Sequence, residues 1–255
     1  MKLIYYFVIV FCFSCNSTEE QKTVPSIDTG EQLKNDIAKN PDSLLLVEKL
    51  IQLYRDNGAY DSALTVVDEA IARVPNVARL WEMKAALHFE NEDTSNAIKS
   101  FEKAINIFPL PDYVISLATL YAQTKNAKAL VFADVLAGKA KVKEAFFIKG
   151  LYYNYIGDKK KAITLFDSCI SLDYTYMFAY REKAIALYDE KKYEEAINVL
   201  NRAVTIQNNF DEGYYWMGNC YKKLNNKEKA IQSYQTALMY DKNFIEARDS
   251  LKTLE

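Results

Sequence analysis

The chain has 255 residues, half of them hydrophobic, with only 7 Gly and 5 Pro. That composition supplies a sizeable core and too few turn residues for a loop-rich all-β fold. Lys and Arg number 32 against 34 Asp and Glu, a net charge of −2, so the chain as a whole has no electrostatic reason to seek nucleic acid. The short basic run Lys159-Lys160-Lys161 falls in an inter-helix turn and reads as solvated loop.

Met1-Lys2 is a minimal positive start, and the apolar stretch Leu3 to Phe13 follows it. The stretch is shorter than the roughly 20 apolar residues that span a bilayer as a helix, and it has the length of a signal-peptide core. It ends in Cys12-Phe13-Ser14-Cys15, after which the chain turns polar from Asn16 to Glu20. This layout resembles a bacterial lipoprotein signal. Ser14 fits the small residue before the cleavage point and Cys15 the lipidated residue, whereas Cys12 and Phe13 depart from the usual aliphatic-then-small pair. The resemblance implies that residues 1–14 are removed, that Cys15 carries the acyl chains, and that these are the membrane anchor. It also implies a bacterial envelope location, with Asn16 after the Cys favouring the outer membrane. Glu19-Glu20 resembles surface-export signals, so periplasmic and surface faces both stay open. An ordinary secretory signal cut nearby is the alternative.

Residues 15–40 read as a polar tether that ends in a short helical piece, Leu33 to Lys39, and residues 41–255 as one helical array. Within the array, Ala63, Ala97, Ala129, Ala162, Ala196 and Ala230 recur at a nearly fixed step, the mark of a stacked repeat. The first unit predicts a helix through Leu50 and Tyr54 and a turn at Asp56-Asn57-Gly58. A second helix then runs from Tyr60 through Ala63, Val67 and Ala70 to Pro75. Apolar residues at three and four spacing give each helix one face to bury. Gly58 suits a turn that needs positive φ, and Pro75 stops the second helix.

These units resemble the tetratricopeptide repeat, a helix–turn–helix of 34 residues. The second unit supplies Trp81, Ala97, Phe101, Ala104 and Pro109. The third fits least well, with Leu117, Ala118, Tyr121, Ala129 and Leu136 only roughly in register. The fourth has Gly150, Tyr153, Gly157, Ala162 and Phe166, with Cys169 where Ala is usual. The fifth has Ala184, Tyr193, Ala196, Leu200 and Ala203, and the sixth Gly218, Tyr221, Ala230, Tyr234 and Ala237. The resemblance implies an all-α, right-handed superhelical solenoid of about six repeats, at 44–77, 78–111, 112–142, 143–176, 177–210 and 211–244. A capping helix at 244–255 closes it.

Catalytic and metal chemistry find little support. Of four Cys, Cys169 and Cys220 would remain after the leader and the lipidated residue, on helices two repeats apart, and are expected as buried unpaired thiols. No His or second Cys lies at ligand spacing, so neither a metal nor a cofactor is expected. The single His, His88, stands where the repeat usually has Tyr and reads as a core or boundary residue. There is no nucleophile-elbow context for a Ser and no Gly-rich phosphate loop, so the chain does not read as an enzyme.

By the resemblance, the first helix of each repeat lines an inner groove. In the first two repeats the inward positions are polar or mixed: Glu48, Gln52 and Arg55, then Glu82, Ala86 and Phe89. Glu48 and Glu82 stand where a clamp for an acidic peptide C-terminus would need Lys and Asn. In the last three repeats the same positions hold Phe147, Leu151 and Tyr155, then Phe178, Arg181, Ile185 and Tyr188, then Tyr215, Asn219 and Lys222. An aromatic face with a few polar groups suits an extended or helical protein segment, with Arg181 available to grip a carboxylate or carbonyl. The same aromatics also suit packing against one another. The expected role is a lipid-anchored scaffold that holds protein partners at the cell envelope, in assembly of an outer-membrane or cell-wall complex. The alternative is a lipoprotein that binds a glycan or peptidoglycan fragment, with Tyr and Trp216 stacking on sugars and Asn154, Asn219 and Glu212 beside them.

Overall fold

Helix-period apolar faces separated by short turns leave the backbone one economical choice, and the computed structural model follows it. It describes residues 27–254, with side chains from residue 29. The helices are α1 (Ile27–Lys39), α2 (Leu44–Asp56), α3 (Tyr60–Arg73), α4 (Ala78–Glu90), α5 (Thr94–Ile107), α6 (Pro111–Gln123) and α7 (Lys128–Gly138). They continue as α8 (Val142–Ile156), α9 (Lys159–Leu172), α10 (Met177–Asp189), α11 (Tyr193–Ile206), α12 (Asp211–Lys223), α13 (Lys227–Tyr240) and α14 (Ile245–Lys252). There is no strand among the described residues, and none of their helices is long and apolar enough to cross a membrane. Cys15 and the leader lie outside the described residues. The tether expectation holds less of the chain than it claimed, because α1 begins at Ile27 and packs on α2. Gly30, read from sequence as part of a tether, lies within α1, where an added Cβ would come 3.3 Å from Leu53.

Each of the six repeating alanines is fully buried, at 0% exposure. Small side chains there let the two helices of a pair approach closely, and larger residues fill the space between one pair and the next. Gly150 faces Phe166 in the same way that Gly218 faces Tyr234: a Cβ on either glycine would sit 2.6 Å from the opposite ring. In the fifth repeat the equivalent pair is Ala184 and Leu200, both buried. A smaller partner thus accompanies the larger residue at that glycine position.

The turns between paired helices need one residue in the left-handed region. Gly58 (φ 69°) and Gly157 (φ 95°) supply it without a Cβ penalty, while Glu92, Lys125, Lys191 and Asn225 adopt it as non-glycine residues. Three of the second helices gain a side-chain cap, with Asp93, Asp158 and Asn226 each accepting from the backbone N–H three residues on.

The chain forms two compact units divided between Leu120 and Tyr121, inside α6. In the first, α2 packs on α3, α3 on α4 and α4 on α5, around a core of Val47, Ile51, Val67, Leu80 and Leu87. In the second, each helix from α7 to α14 packs on its chain neighbour, and α10 also touches α8 and α12. The division falls in the repeat whose sequence register is poorest. There α7 has 11 residues where α9 has 14, and the following turn uses Ala140 at φ 60°. The short step between repeating alanines runs from Ala97 to Ala129 and so precedes the body of α7; the link from α5 to α6, residues 108–110, is one residue shorter than that from α3 to α4, residues 74–77.

Candidate functional site

In the first unit the polar face of α2 and α4 is occupied by its own charges. Arg79 donates from Nε to Glu48 (3.0 Å) and from Nη1 to Glu82 (2.7 Å). Arg55 holds Glu90 through two of its nitrogens, with Nε at 2.8 Å from Oε2. Glu82 is only 4% exposed, and burial raises its pKa against the opposing pull of Arg79. The two inward glutamates are therefore part of an ion network that holds neighbouring repeats in register.

The second unit carries the predicted groove residues on α8, α10 and α12, and it does not treat them alike. Phe147 and Leu151 are packing residues, 8% and 3% exposed. Phe147 lies edge-on to Tyr176 at 5.3 Å and tilted against Phe166 at 6.0 Å. Tyr176, in the loop before α10, packs against Phe147, and with both residues buried they offer no open face. Arg181 departs most from its expected role. It is 7% exposed, its Nη1 donates to both oxygens of Glu212 at 2.7 and 2.8 Å, and its Nε donates to Glu182 at 3.1 Å. Its guanidinium also lies 5.5 Å from the centre of the Phe178 ring. Burial alone would lower the Arg181 pKa, but the two carboxylates outweigh it and hold the guanidinium charged. With its donors engaged inside the protein, Arg181 has no grip to offer a partner.

The remaining groove residues stay half-buried or exposed: Tyr155, Phe178, Ile185, Tyr188, Tyr215, Asn219 and Lys222. Tyr188 meets Tyr193 at 5.3 Å and Trp216 at 5.6 Å, and Tyr215 meets Trp216 at 5.6 Å and Phe244 at 5.0 Å. Burial raises the Tyr188 hydroxyl to about 12, so it stays a neutral donor near neutral pH. Asn219 accepts from Tyr234 Oη at 2.7 Å, and Lys222 donates to Thr253 at 2.8 Å. The result is two sets of half-buried rings: Tyr188, Trp216, Tyr215 and Phe244 in one chain of contacts, and Phe178 against Tyr176 in another.

Sequence reading missed how these residues brace one another. Glu48 with Arg79, Arg181 with Glu212, and Lys222 with Thr253 are all 31 residues apart. The first two pairs join the first helix of one repeat to that of the next, the third joins α12 to the residue that ends α14, and comparing positions at that offset would have found Glu212 as the partner of Arg181. On the outer side, Lys84 with Asp68 and Lys183 with Asp167 repeat at 16 residues.

No catalytic constellation accompanies these rings. His88 Nδ1 lies 3.6 Å from Asp93, and burial lowers the His88 pKa. No nucleophile converges on that pair. Cys169 and Cys220 are buried free thiols. Among the described residues no group of three or more His, Cys, Asp or Glu is placed to hold a metal ion.

A face of stacked helix pairs, braced between repeats, defines a helical repeat protein. Family models described as tetratricopeptide repeat match residues 49–110, 143–176 and 212–244, and one described as TPR repeat matches 184–225. The chain belongs to the tetratricopeptide repeat proteins. It is similar to a tetratricopeptide repeat protein from Parabacteroides merdae of known structure, at 20% identity and a TM-score of 0.74, over 89% of this chain and 91% of that one. It is also 23% identical to human superkiller complex protein 3 over 89% of this chain, and 23% identical to stress-induced-phosphoprotein 1 of Caenorhabditis elegans over 75% of it. The chain spans 15% and 58% of those two relatives' lengths. Proteins of this family act as scaffolds for protein–protein interaction, and nothing in the likenesses points to an enzyme.

Proposed function

We propose that this protein is a scaffold that binds a protein segment along the aromatic face of α8, α10 and α12. The observation that carries the reading is the run of half-buried rings, Phe178, Tyr188 and Tyr215, beside the half-buried aliphatic Ile185. Rings of this kind present large contact area with few rotors to freeze; Tyr188 is held by Tyr193 and Trp216, Tyr215 by Trp216 and Phe244, and Phe178 by Tyr176. Lys222 and Asn219 stand at the rim, where polar groups set orientation.

The lipoprotein-like leader extends the proposal: Cys15 anchors the scaffold to the bacterial envelope, where it serves assembly of an outer-membrane or cell-wall complex. Metabolic labelling with an alkyne fatty acid tests the anchor directly. Label in the wild type and none in Cys15→Ser supports it, and an unlabelled wild type removes it. For the groove, a photo-crosslinking residue at Ile185 in envelope extract is expected to capture a defined protein, and Tyr188→Ala with Tyr215→Ala to abolish capture. Equal capture by that folded double variant would overturn the reading. A thermal shift with peptidoglycan fragments, in the absence of protein cross-links, would replace it with the glycan-binding alternative.

A further inference from the structure

Among the described residues the array opens and closes on half a repeat. α1 ends at Lys39, 34 residues before α3 ends at Arg73, and so holds the place of a second helix. α14 begins at Ile245, 34 residues after α12 begins at Asp211, and so holds the place of a first helix.

Beside α1 the place of its own first helix is open. A groove of about 510 Å³ runs between α1 and α2, and its lining includes Thr29, Leu33 and Asp36 of α1 and Leu46, Lys49 and Leu53 of α2. Their counterparts 34 residues on are Ala63, Val67, Ala70, Leu80, Met83 and Leu87. All six belong to one buried core, which Val47 and Ile51 of the first helix α2 complete. The groove is therefore the same core with its first helix taken out. Positions that are covered one repeat later stand half-buried here at Leu33, Asp36 and Leu46, and exposed at Thr29 and Lys49.

α14 carries a complement to that groove. Where α2 has Val47, Leu50 and Ile51, α14 has Arg248, Leu251 and Lys252, half-buried or exposed on its surface. In the sixth repeat Gly218 of α12 lies against Tyr234 of α13. The same antiparallel register sets Lys252 over Leu33 and puts Arg248, one turn earlier, beside Asp36, one turn later. Asp36 forms no ion pair among the described residues. Arg248 donates to the Lys242 carbonyl from Nη2, which leaves its other nitrogens for a carboxylate, and the Lys252 stem can lie on Leu33 with its ammonium in water. The two halves of the chain agree in charge as well. Residues 1–120 carry 11 Lys and Arg against 17 Asp and Glu, and residues 121–255 carry 21 against 17, so an acidic front meets a basic back.

We infer that copies of this chain join head to tail: α14 of one copy fills the groove between α1 and α2 of the next and completes the half repeat, with Arg248 paired to Asp36 across the contact. Groove and helix are different surfaces, so the contact is heterologous and each added copy leaves one of each for another. The contact is separate from the aromatic face of α8, α10 and α12 and stands or falls without it.

The test is sedimentation velocity of the full chain in non-ionic detergent, with Cys15→Ser so that acyl chains take no part. Over a roughly hundredfold range of concentration the average mass is expected to rise past that of a dimer, and to rise less at high salt. Asp36→Arg and Arg248→Asp each set like charges across the contact. Each should move the rise to about tenfold or more higher concentration, with unchanged circular dichroism. Asp36→Arg has arginine on both surfaces and Arg248→Asp has aspartate on both, so mixing the two restores opposite charges and should restore association. A parent chain that stays monomeric throughout, its groove filled by residues 1–26 or left open, overturns the inference. Association that neither variant weakens overturns it too, as does a mixture that associates no better than its parts.

Discussion

Replacing Arg181 by Met removes a cation and leaves the two carboxylates it serves. Glu182 is 8% exposed, so it has little water to fall back on, whereas the Glu212 side chain keeps 20% exposure and recovers part of its hydration. Breaking a buried ion pair from one side costs about 3–5 kcal/mol, and partial rehydration of Glu212 puts this site near the lower end, at about 3 kcal/mol. Met retains most of the stem that packs beside Phe178, so the loss comes from charge more than from volume. With a urea m-value of about 2 kcal/mol/M, the midpoint should fall by about 1.5 M. The measurement is urea unfolding followed by Trp216 fluorescence with Trp81 replaced by Phe, which reports the unit that contains Arg181. Adding Glu182→Gln and Glu212→Gln to Arg181→Met removes the stranded charges and should restore about half of the loss. A single-variant cost below about 1 kcal/mol, or a triple variant no more stable than the single one, would refute the reasoning.

Gly150→Ala should destabilise the fourth repeat by about 1–3 kcal/mol through overpacking, since its Cβ would lie 2.6 Å from Phe166. Adding Phe166→Leu recreates the Ala184–Leu200 pair of the next repeat and should recover much of the loss in thermal unfolding. Asp173 accepts from Lys143 Nζ and from Thr175, and these bonds lower its pKa from 3.8 to about 2. A depressed carboxylate stabilises the fold above its unfolded pKa and loses that contribution as pH falls through the folded value. Stability should therefore drop between pH 3.8 and about 2, and acid titration of Asp173→Asn by circular dichroism should show a smaller drop. Cys169 and Cys220 are 0% and 1% exposed, with burial pushing both thiols up to about 12. A maleimide at neutral pH should leave both unmodified in the native protein and label both in denaturant; prompt native labelling would show that the thiol packing is wrong.

Much of the architecture was legible because it depends on local chemistry repeated many times. Six buried alanines, turn residues at fixed offsets and helix-period apolar faces each specify a helix pair without knowledge of distant contacts. The weak third repeat was legible too, since α7 is shorter than its counterparts. The start of α1 at Ile27 was not, because Asp28, Thr29 and Gly30 are weak helix formers whose helix packs against α2.

The candidate site divides in the same way. The positions of Tyr188, Tyr215, Asn219 and Lys222 on the first helices of the repeats follow from the periodic sequence alone. Which of the ten groove residues remain open was decided by tertiary contacts. Phe147 packs against Tyr176 and Phe166, Leu151 is buried, and Arg181 is taken by Glu212 from the next repeat. The physical reason is that helical periodicity assigns a face to each residue, whereas its accessibility and free charge depend on the side chain that the neighbouring helix places opposite it. By itself the sequence determined the repeats, their buried alanines and the aromatic character of the last three. Only the tertiary structure decided that Arg181 is already held by Glu182 and Glu212, and which of the rings stay half-buried.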